Sequence, residues 1–229
     1  MEKITSRKNE YIKALRDYRG EDFLCCGEKM LEEAVKAGAE ITSLLWKEAP
    51  GSFEVCSRQF YGPAELFDYA APMKNSPGPV FTARIKPFPE IEEHSAIILE
   101  NVQDPGNVGT VIRTANAFDI DCVYLLGDCA GLRSFKTVRA SMGAVFYQRV
   151  KVGCLPSLPV YGAALAADSV DITKVSLKNC AVAIGSEGHG LSKKLLDSCA
   201  GKIIIPMSDK AESLNAAVAA SICMWEMSR

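Results

Sequence analysis

From residue 95 to the C-terminus, short apolar runs alternate with amphipathic segments of helical period. The pattern predicts strands at 96–100, 122–126, 148–152, 159–163, 181–185 and 202–205, and helices at 108–118, 134–141, 192–199 and 213–227. Short apolar strands that alternate with helices are typical of a parallel sheet covered by helices on both faces. We therefore expect an α/β fold in this half of the chain.

Three loops of this half concentrate glycines and polar residues, and each lies between a predicted strand and a predicted helix. They span residues 101–113, 184–190 and 205–215. Ligand sites of open α/β sheets lie at such junctions, outside the carboxyl ends of the strands. Each loop alone also has an ordinary structural explanation, which is a salt-bridged helix arginine at Arg113, a tight glycine turn, and an N-cap at Ser213. Together the three loops indicate one site.

The sequence lacks the motifs of several other enzyme classes. The glycines of the second loop have the order Gly-x-x-Gly-x-Gly, whereas a dinucleotide-binding loop has Gly-x-Gly-x-x-Gly. Ser186 lacks the Gly-x-Ser-x-Gly frame of a hydrolase nucleophile. The chain has two histidines and no cluster with the spacing of metal ligands, so neither histidine-based catalysis nor a metal site is expected.

Residues 1–87 are predicted to form a separate, small α/β domain. Helices are expected at 6–18, 28–37 and 63–69, and strands at 22–26, 41–47, 53–57 and 80–85. Pro87, Pro89 and an acidic run at 90–93 indicate a linker, which we place at 88–94. The second domain is then expected to span 95–229.

Basic residues are grouped in two places, although the formal net charge of the chain is −2. The first twenty residues hold six of them with two tyrosines between, and a second group lies in the middle of the chain. The groups are Lys3, Arg7, Lys8, Lys13, Arg16 and Arg19 with Tyr11 and Tyr18, and then Arg133, Lys136, Arg139, Arg149 and Lys151. Such groups suit contact with nucleic acid, but solvated helix faces explain them equally well.

The composition is that of an ordinary globular protein, with 48% hydrophobic and 24% charged residues. No apolar stretch approaches the roughly 20 residues of a membrane helix, and the first residues show no apolar signal core. The nine cysteines include no Cys-x-x-Cys pair, so reduced thiols are expected. We therefore expect a cytoplasmic protein that does not enter a membrane.

The three loops resemble the motifs of the SpoU (TrmH) family of RNA ribose methyltransferases, which belongs to the SPOUT superfamily. The matching residues are Asn107 and Arg113 in the first loop, Gly185, Glu187 and Gly190 in the second, and Ile-Pro-Met at 205–207 with Ser-Leu-Asn at 213–215 in the third. The stretch 134–146 is similar to a further segment of the family, in which a serine and a Gly-Ala pair follow basic residues. The resemblance covers nearly all of residues 95–229.

Residues 1–87 resemble, less closely, the small L30e-like RNA-binding domain that many members of this family carry. The segment Phe-Leu-Cys-Cys-Gly at 23–27 stands where the family has Phe-Leu-x-Glu-Gly. Cys26 therefore stands in place of the expected acid. The order of strand, glycine and helix is kept.

The resemblance implies both a fold and a reaction. The implied fold is a parallel α/β sheet whose last segment is threaded into a deep trefoil knot, preceded by the L30e-like domain. The implied reaction is methyl transfer from S-adenosylmethionine to a ribose 2′-hydroxyl in a structured RNA, either rRNA or tRNA. The resemblance further implies a homodimer with its site near the interface, and no metal.

The resemblance also assigns roles to eight residues. Arg113 matches the family's catalytic arginine, and we expect it to donate hydrogen bonds to the 2′-oxygen rather than act as a base, because a guanidinium is hard to deprotonate. The residues expected to orient Arg113 and the ribose are Asn107, Glu187, Ser213 and Asn215. Backbone at Gly185, Ile205 and Leu214 is expected to hold the cofactor.

Three other functions are weighed against this one. A relative with the same knot that methylates an RNA base is disfavoured by the pair Asn107 and Arg113 and by the triplet at 213–215. A non-catalytic RNA-binding protein is disfavoured because every polar motif residue is present. A nucleotide-binding Rossmann enzyme is disfavoured because its glycine fingerprint is missing.

Overall fold

The computed structural model describes residues 1–49, 56, 58–208, 210 and 212–229. In the first part of the chain the elements are β1 (Glu2–Lys3), α1 (Glu10–Arg16), β2 (Phe23–Cys26), α2 (Glu28–Lys36), β3 (Glu40–Lys47), β4 (Gln59–Gly62), α3 (Ala64–Ala70) and β5 (Val80–Arg84). The second part has β6 (Ser95–Glu100), α4 (Pro105–Ala117), β7 (Cys122–Leu126), α5 (Phe135–Ala140), β8 (Val150–Val152), β9 (Val160–Ala163), β10 (Val170–Asp171), β11 (Cys180–Ile184), α6 (Lys193–Ser198), β12 (Gly201–Ile204) and α7 (Ala216–Met227).

These elements form two compact units. The first contains residues 1–87 and 133–146, and the second contains residues 88–132 and 147–229. The sequence predicts 133–146 to be part of the second domain, but α5 packs on β2 of the first unit. The physical reason is apolar contact, because Phe135 joins the core of the first unit and the ring of Phe146 meets that of Phe23 edge-on at 6.4 Å.

The first unit is built on a mixed five-stranded sheet in the order β1-β4-β3-β5-β2. β1, β4 and β3 are parallel, whereas β5 runs antiparallel to both β3 and β2. α1 and α3 pack against each other over a core that includes Ile12, Leu15 and Phe67. α1 begins later than predicted because Asn9, rather than Ser6, caps it and accepts from the backbone N–H groups of residues 11 and 12.

The second unit is built on a seven-stranded sheet in the order β10-β12-β9-β11-β6-β7-β8. Every pairing in it is parallel, which confirms the predicted parallel sheet. Side chains alternate between the faces of a strand, and both neighbours Ile97 and Ile98 of β6 are fully buried. Helices therefore cover both faces. One face packs on Leu195 of α6, and α4 and α7 pack on each other and on the central strands.

The order in which the strands are added to the sheet reverses at β6. Such a reversal is a topological switch point. From β6 the chain proceeds to β7 and β8 on one side, then returns through β9 and β11 on the other, so that β6 and β11 become neighbours. The helices that follow such diverging strands leave a crevice at the carboxyl ends, where ligands of open α/β sheets bind. The loops after β6, β11 and β12 are the three that the sequence singled out.

Several local features differ from the sequence-based expectations. The two-residue strands β1 and β10 and the strand β4 were not predicted, and most of the strand predicted at 53–57 lies outside the described residues.

All nine cysteines are free thiols. Within the described ranges, no helix has the length and apolar character needed to cross a membrane.

Candidate functional site

The loop after β6 presents Asn107 at the start of α4. Asp104 caps this helix, since its side chain accepts from the backbone N–H of Asn107 at 2.8 Å, and Pro105 occupies the first turn, where a missing N–H costs nothing. The cap fixes the first turn of α4, so the Asn107 side chain is directed over the carboxyl end of the sheet, toward the loop that follows β11.

Three polar side chains, one from each loop, form a hydrogen-bonded triangle. The Asn107 amide Nδ2 donates to Glu187 Oε1 at 3.1 Å. Asn215 Nδ2 donates to the same Oε1 at 2.6 Å and to Asn107 Oδ1 at 3.0 Å. The structure therefore brings together three of the residues that the sequence analysis selected, from positions up to 108 residues apart.

The carboxylate of Glu187 is the charged acceptor in this triangle. Hydrogen bonds to a charged acceptor are the stronger kind, and the backbone N–H of Ala216 also points at Glu187 Oε1, at 3.4 Å. All these donors reach one carboxylate oxygen. Among the described residues no hydrogen bond to Oε2 is formed, which leaves that oxygen to accept from a ligand.

Asn215 also caps α7. Its Oδ1 accepts from the backbone N–H of Ala217 at 3.0 Å and of Val218 at 3.3 Å. The sequence predicts a cap at Ser213 and the start of the helix there. The structure corrects this: α7 begins at Ala216, and the Ser213 side chain is exposed. An asparagine can both cap a helix through its oxygen and donate through its amide, and both uses are made here.

A cavity of about 540 Å³ lies beside the triangle, between the loops after β9, β11 and β12. This volume falls in the range typical of small-molecule sites. The cavity is lined by Gly185, Ile205 and Leu214, the three residues expected to hold a cofactor. Ser213 also lines it. Other contributors include His189, Met207 and Glu212, which lie in the two loops that the sequence singles out but were given no role of their own. Leu165 lies outside those loops, and only its position after a strand end could have indicated it.

The glycines of the second loop serve different purposes. A Cβ on Gly185 would lie 2.0 Å from the backbone carbon of Gly190, so only glycine permits the two ends of the turn to meet there. Gly190 has a positive φ of 66° and donates its N–H to Ser186 O at 2.8 Å. Gly188 has neither constraint. The turn folds back on itself and presents Glu187 on one side and the cavity wall on the other.

Arg113 is placed apart from these features. It lies six residues after Asn107 on α4, which is about 9 Å along the helix axis, and its side chain is exposed rather than part of the cavity wall. The ordinary structural explanation of this position is a salt-bridged helix arginine. In the part of the chain that the structure describes, no ion pair involves Arg113, so its guanidinium keeps its full donor capacity.

The described residues contain no grouping of three histidine, cysteine, aspartate or glutamate side chains that could hold a metal ion. The buried thiols are structural. Burial raises the pKa of the Cys223 thiol in α7 to about 12, so this group stays protonated and packs as a small apolar side chain.

Comparison with known proteins identifies relatives of the whole chain. A family model described as the SpoU rRNA Methylase family matches residues 94–225. The chain is 30% identical over 249 aligned positions to the 23S rRNA (guanosine(2553)-2'-O)-methyltransferase RlmP of Bacillus subtilis, with 99% of each chain covered.

Solved structures show the same fold over both units. An rRNA methyltransferase from Sinorhizobium meliloti has a TM-score of 0.84 and 25% identity, covering 98% of this chain and 96% of that one, and its AdoMet-bound structure aligns equally well. The SpoU methyltransferase AviRb from Streptomyces viridochromogenes shares the fold with a TM-score of 0.83 at 22% identity, covering 96% of this chain and 97% of that one.

The double use of Asn215 predicts a difference between two neighbouring alanine variants. Asn215→Ala removes the cap of α7 and a donor to Glu187, so it is expected to lower the free energy of unfolding by about 1 kcal/mol or more. Ser213→Ala is the matched control, since this exposed serine caps nothing, and is expected to change stability by less than about 0.5 kcal/mol. Urea unfolding of both variants measures this. A larger loss of stability in Ser213→Ala than in Asn215→Ala would show that Ser213 is the cap of α7.

Proposed function

The chain belongs to the SpoU rRNA methylase family, and from this premise we propose that it is an S-adenosylmethionine-dependent methyltransferase that methylates a ribose 2′-hydroxyl of a structured RNA. The observation that carries the proposal is the triangle of Asn107, Glu187 and Asn215 beside a preformed cavity. A relative that matches along its whole length is named for 2′-O-methylation of 23S rRNA, so ribosomal RNA is the first substrate to test and tRNA the second. Such a substrate implies a cytoplasmic protein.

The cavity suits S-adenosylmethionine in size and chemistry. Its wall is largely apolar, with Ile184, Leu191 and Leu214 among the contributors, which suits an adenine ring and a thioether chain. Glu212 supplies a carboxylate that complements a cationic ligand, and the close approach of Gly185 to Gly190 leaves backbone rather than side chain at the rim. When bound, this group supplies an electrophilic methyl on a sulfonium sulfur.

The protein's part in the reaction is to align the ribose and to stabilise negative charge on its oxygen. Glu187 is held by its Oε1, so its Oε2 is the acceptor for a ribose hydroxyl. Asn107 and Asn215 fix the carboxylate in that orientation. Arg113 donates hydrogen bonds to the 2′-oxygen as charge develops there, while the hydroxyl proton passes to solvent. Ser213, at the cavity wall, assists in orienting the ribose.

We also infer a homodimer formed through α4 and α7. A groove of about 400 Å³ between these helices is lined by Asn107, Asn215, Val218 and Trp225. Val218 is 47% exposed and Trp225 is 51% exposed, although α7 already buries its other apolar face. Exposed apolar side chains that flank site residues are typical of an interface. A second copy covering this groove would exclude water from the triangle.

Two finer features of the fold are part of the proposal. We infer from the family resemblance that the C-terminal segment is threaded as a trefoil knot; in this segment α7 packs on β6, β11 and the 3-10 helix Ile172–Lys174. We also infer that 88–94 is the linker, that 95–229 is the methyltransferase domain, whose segment 133–146 packs with the first unit, and that residues 1–87 form the L30e-like, RNA-binding domain. Its mixed sheet with packed helices is consistent with that role.

Gly185→Ala tests the cofactor site. The new Cβ would displace the backbone at Gly190, so the affinity for S-adenosylmethionine is expected to fall at least tenfold. Gly188→Ala is the matched control, because a Cβ there meets nothing within 4 Å, and its affinity should equal that of the wild type. Titration calorimetry measures both. Absence of binding by the wild-type protein at millimolar ligand would reject the proposed cofactor.

Arg113→Ala tests the catalytic assignment. Removing one preorganised donor to a developing oxyanion is expected to lower the methylation rate about 10²–10³-fold, with cofactor affinity and thermal unfolding unchanged because the residue is exposed and unpaired. Arg113→Lys should recover little, since an ammonium lacks the planar fork of donors. Single-turnover methylation of a 23S rRNA transcript measures the rate. A near wild-type rate in the alanine variant would show that Arg113 takes no part in the reaction.

Trp225→Lys tests the dimer. A charge in the middle of the apolar groove is expected to convert the dimer into a monomer in sedimentation velocity at tens of micromolar. Val152→Lys is the control, because Val152 is 66% exposed on the edge strand β8 and lies outside the groove. A wild-type protein that sediments as a monomer would contradict the proposed interface.

A further inference from the structure

Two arginines of the first unit lie over a single tyrosine ring. The guanidinium carbon of Arg16 is 4.0 Å from the ring centroid of Tyr69, and that of Arg7 is 4.7 Å from it. The two positive charges therefore lie within about 9 Å of each other. Both arginine side chains are exposed, so together with the ring they form a surface cluster, which we call the Arg7–Tyr69–Arg16 cluster.

The cluster stands on rigid elements. Arg16 is the last residue of α1 and Tyr69 lies in α3, and these helices pack through the buried side chains of Ile12, Leu15 and Phe67. Stacking on an aromatic face restrains a guanidinium that would otherwise sample many rotamers. Its N–H donors are thereby held in a fixed direction.

The positive charge of the cluster is not neutralised by neighbouring carboxylates. Asp68 adjoins Tyr69 but pairs with Lys47 at 2.9 Å. Asp17 follows Arg16, yet within the described residues neither Arg16 nor Arg7 takes part in an ion pair. Lys13, also exposed, adds a third cation one turn before Arg16. A chain of net charge −2 thus concentrates unpaired cations at this place.

We propose that the Arg7–Tyr69–Arg16 cluster binds phosphodiester groups of the substrate RNA. This inference rests on the proposed function. The planar fork of donors on a guanidinium matches a phosphate bidentately, and two such forks suit neighbouring phosphates along one strand. Because the tyrosine ring is already covered by the arginines, it is not free to stack a base. The cluster therefore holds the RNA backbone and positions it without reading its sequence.

Loss of charge at the cluster is expected to change the salt dependence of RNA binding. Each phosphate contact contributes about 0.7 to 0.9 to the slope of log K against log[salt]. The double variant Arg7→Gln/Arg16→Gln is expected to reduce this slope by about 1.4 to 1.8 and to weaken binding of an unmodified 23S rRNA transcript about tenfold or more at low salt. The loss should be similar for unrelated RNA sequences. Filter binding between 50 and 200 mM salt measures it.

The control is Arg84→Gln, which removes a guanidinium of the same unit that is already paired with Asp22 at 2.9 Å; its slope should stay that of the wild type. The single variant Arg7→Gln covers the case in which the double variant misfolds. Because Arg7 precedes α1 and is exposed, this variant should fold, and its slope should be lower by about half as much. An unchanged slope in Arg7→Gln, or an equal loss in Arg84→Gln, would overturn the inference.

The outcome is separable from that of the proposed function. Binding is measured without turnover, and S-adenosylmethionine affinity and the rate at saturating RNA should be unchanged in the cluster variants. A wild-type protein that binds RNA through the cluster but methylates none would reject the proposed function and leave this inference standing. A protein that methylates RNA with the cluster neutralised, at wild-type affinity, would reject this inference alone.

Discussion

The parallel pairing of β6 with β11 is the constraint on which the site depends. Cys180–Ile184 aligns in register with Ser95–Leu99, so the loops after the two strands emerge side by side although Asn107 and Glu187 are 80 residues apart. No local propensity creates that proximity. It follows from the reversal of chain order at β6, and both faces of these strands must be buried for the pairing to persist. The buried apolar strands therefore position a polar triangle to which they contribute no side chain.

Asparagine and glutamate complement each other in this triangle because their hydrogen-bonding capacities differ. An ionised carboxylate only accepts, whereas an amide both donates and accepts. Asn215 uses its oxygen to cap α7 and its amide to hold Glu187, so the start of a helix and the orientation of the carboxylate are fixed by one side chain. A serine hydroxyl also donates and accepts, but it does so through one atom on a shorter side chain, whereas Asn215 uses its Nδ2 for Glu187 and its Oδ1 for the helix. The helix begins at Ala216 because Asn215, and not the exposed Ser213, accepts from the free N–H groups of its first turn.

The sequence was sufficient to predict the parallel sheet, most helices and the three loops of the site, because period and glycine placement are local signals. It was not sufficient where tertiary contact decides. The segment 133–146 has helical period, but only the apolar surface of β2 explains why it packs with the first unit. β1 is two residues long and exists through its pairing with β4. The roles of all eight site residues came from the family resemblance, and the geometry of the chain alone places neither Arg113 nor Ser213 in the triangle.

The cavity and the triangle are built from adjacent residues of the same two loops, and this links them mechanically. Gly185 lines the cavity, and Glu187, two residues later, accepts from both asparagines; Leu214 lines the cavity, and Asn215 follows it directly. Because the turn 185–190 is closed by the contact of Gly185 with Gly190, a displacement on the cavity side moves Glu187 as well. A ligand in the cavity would therefore stabilise the same backbone that orients the carboxylate.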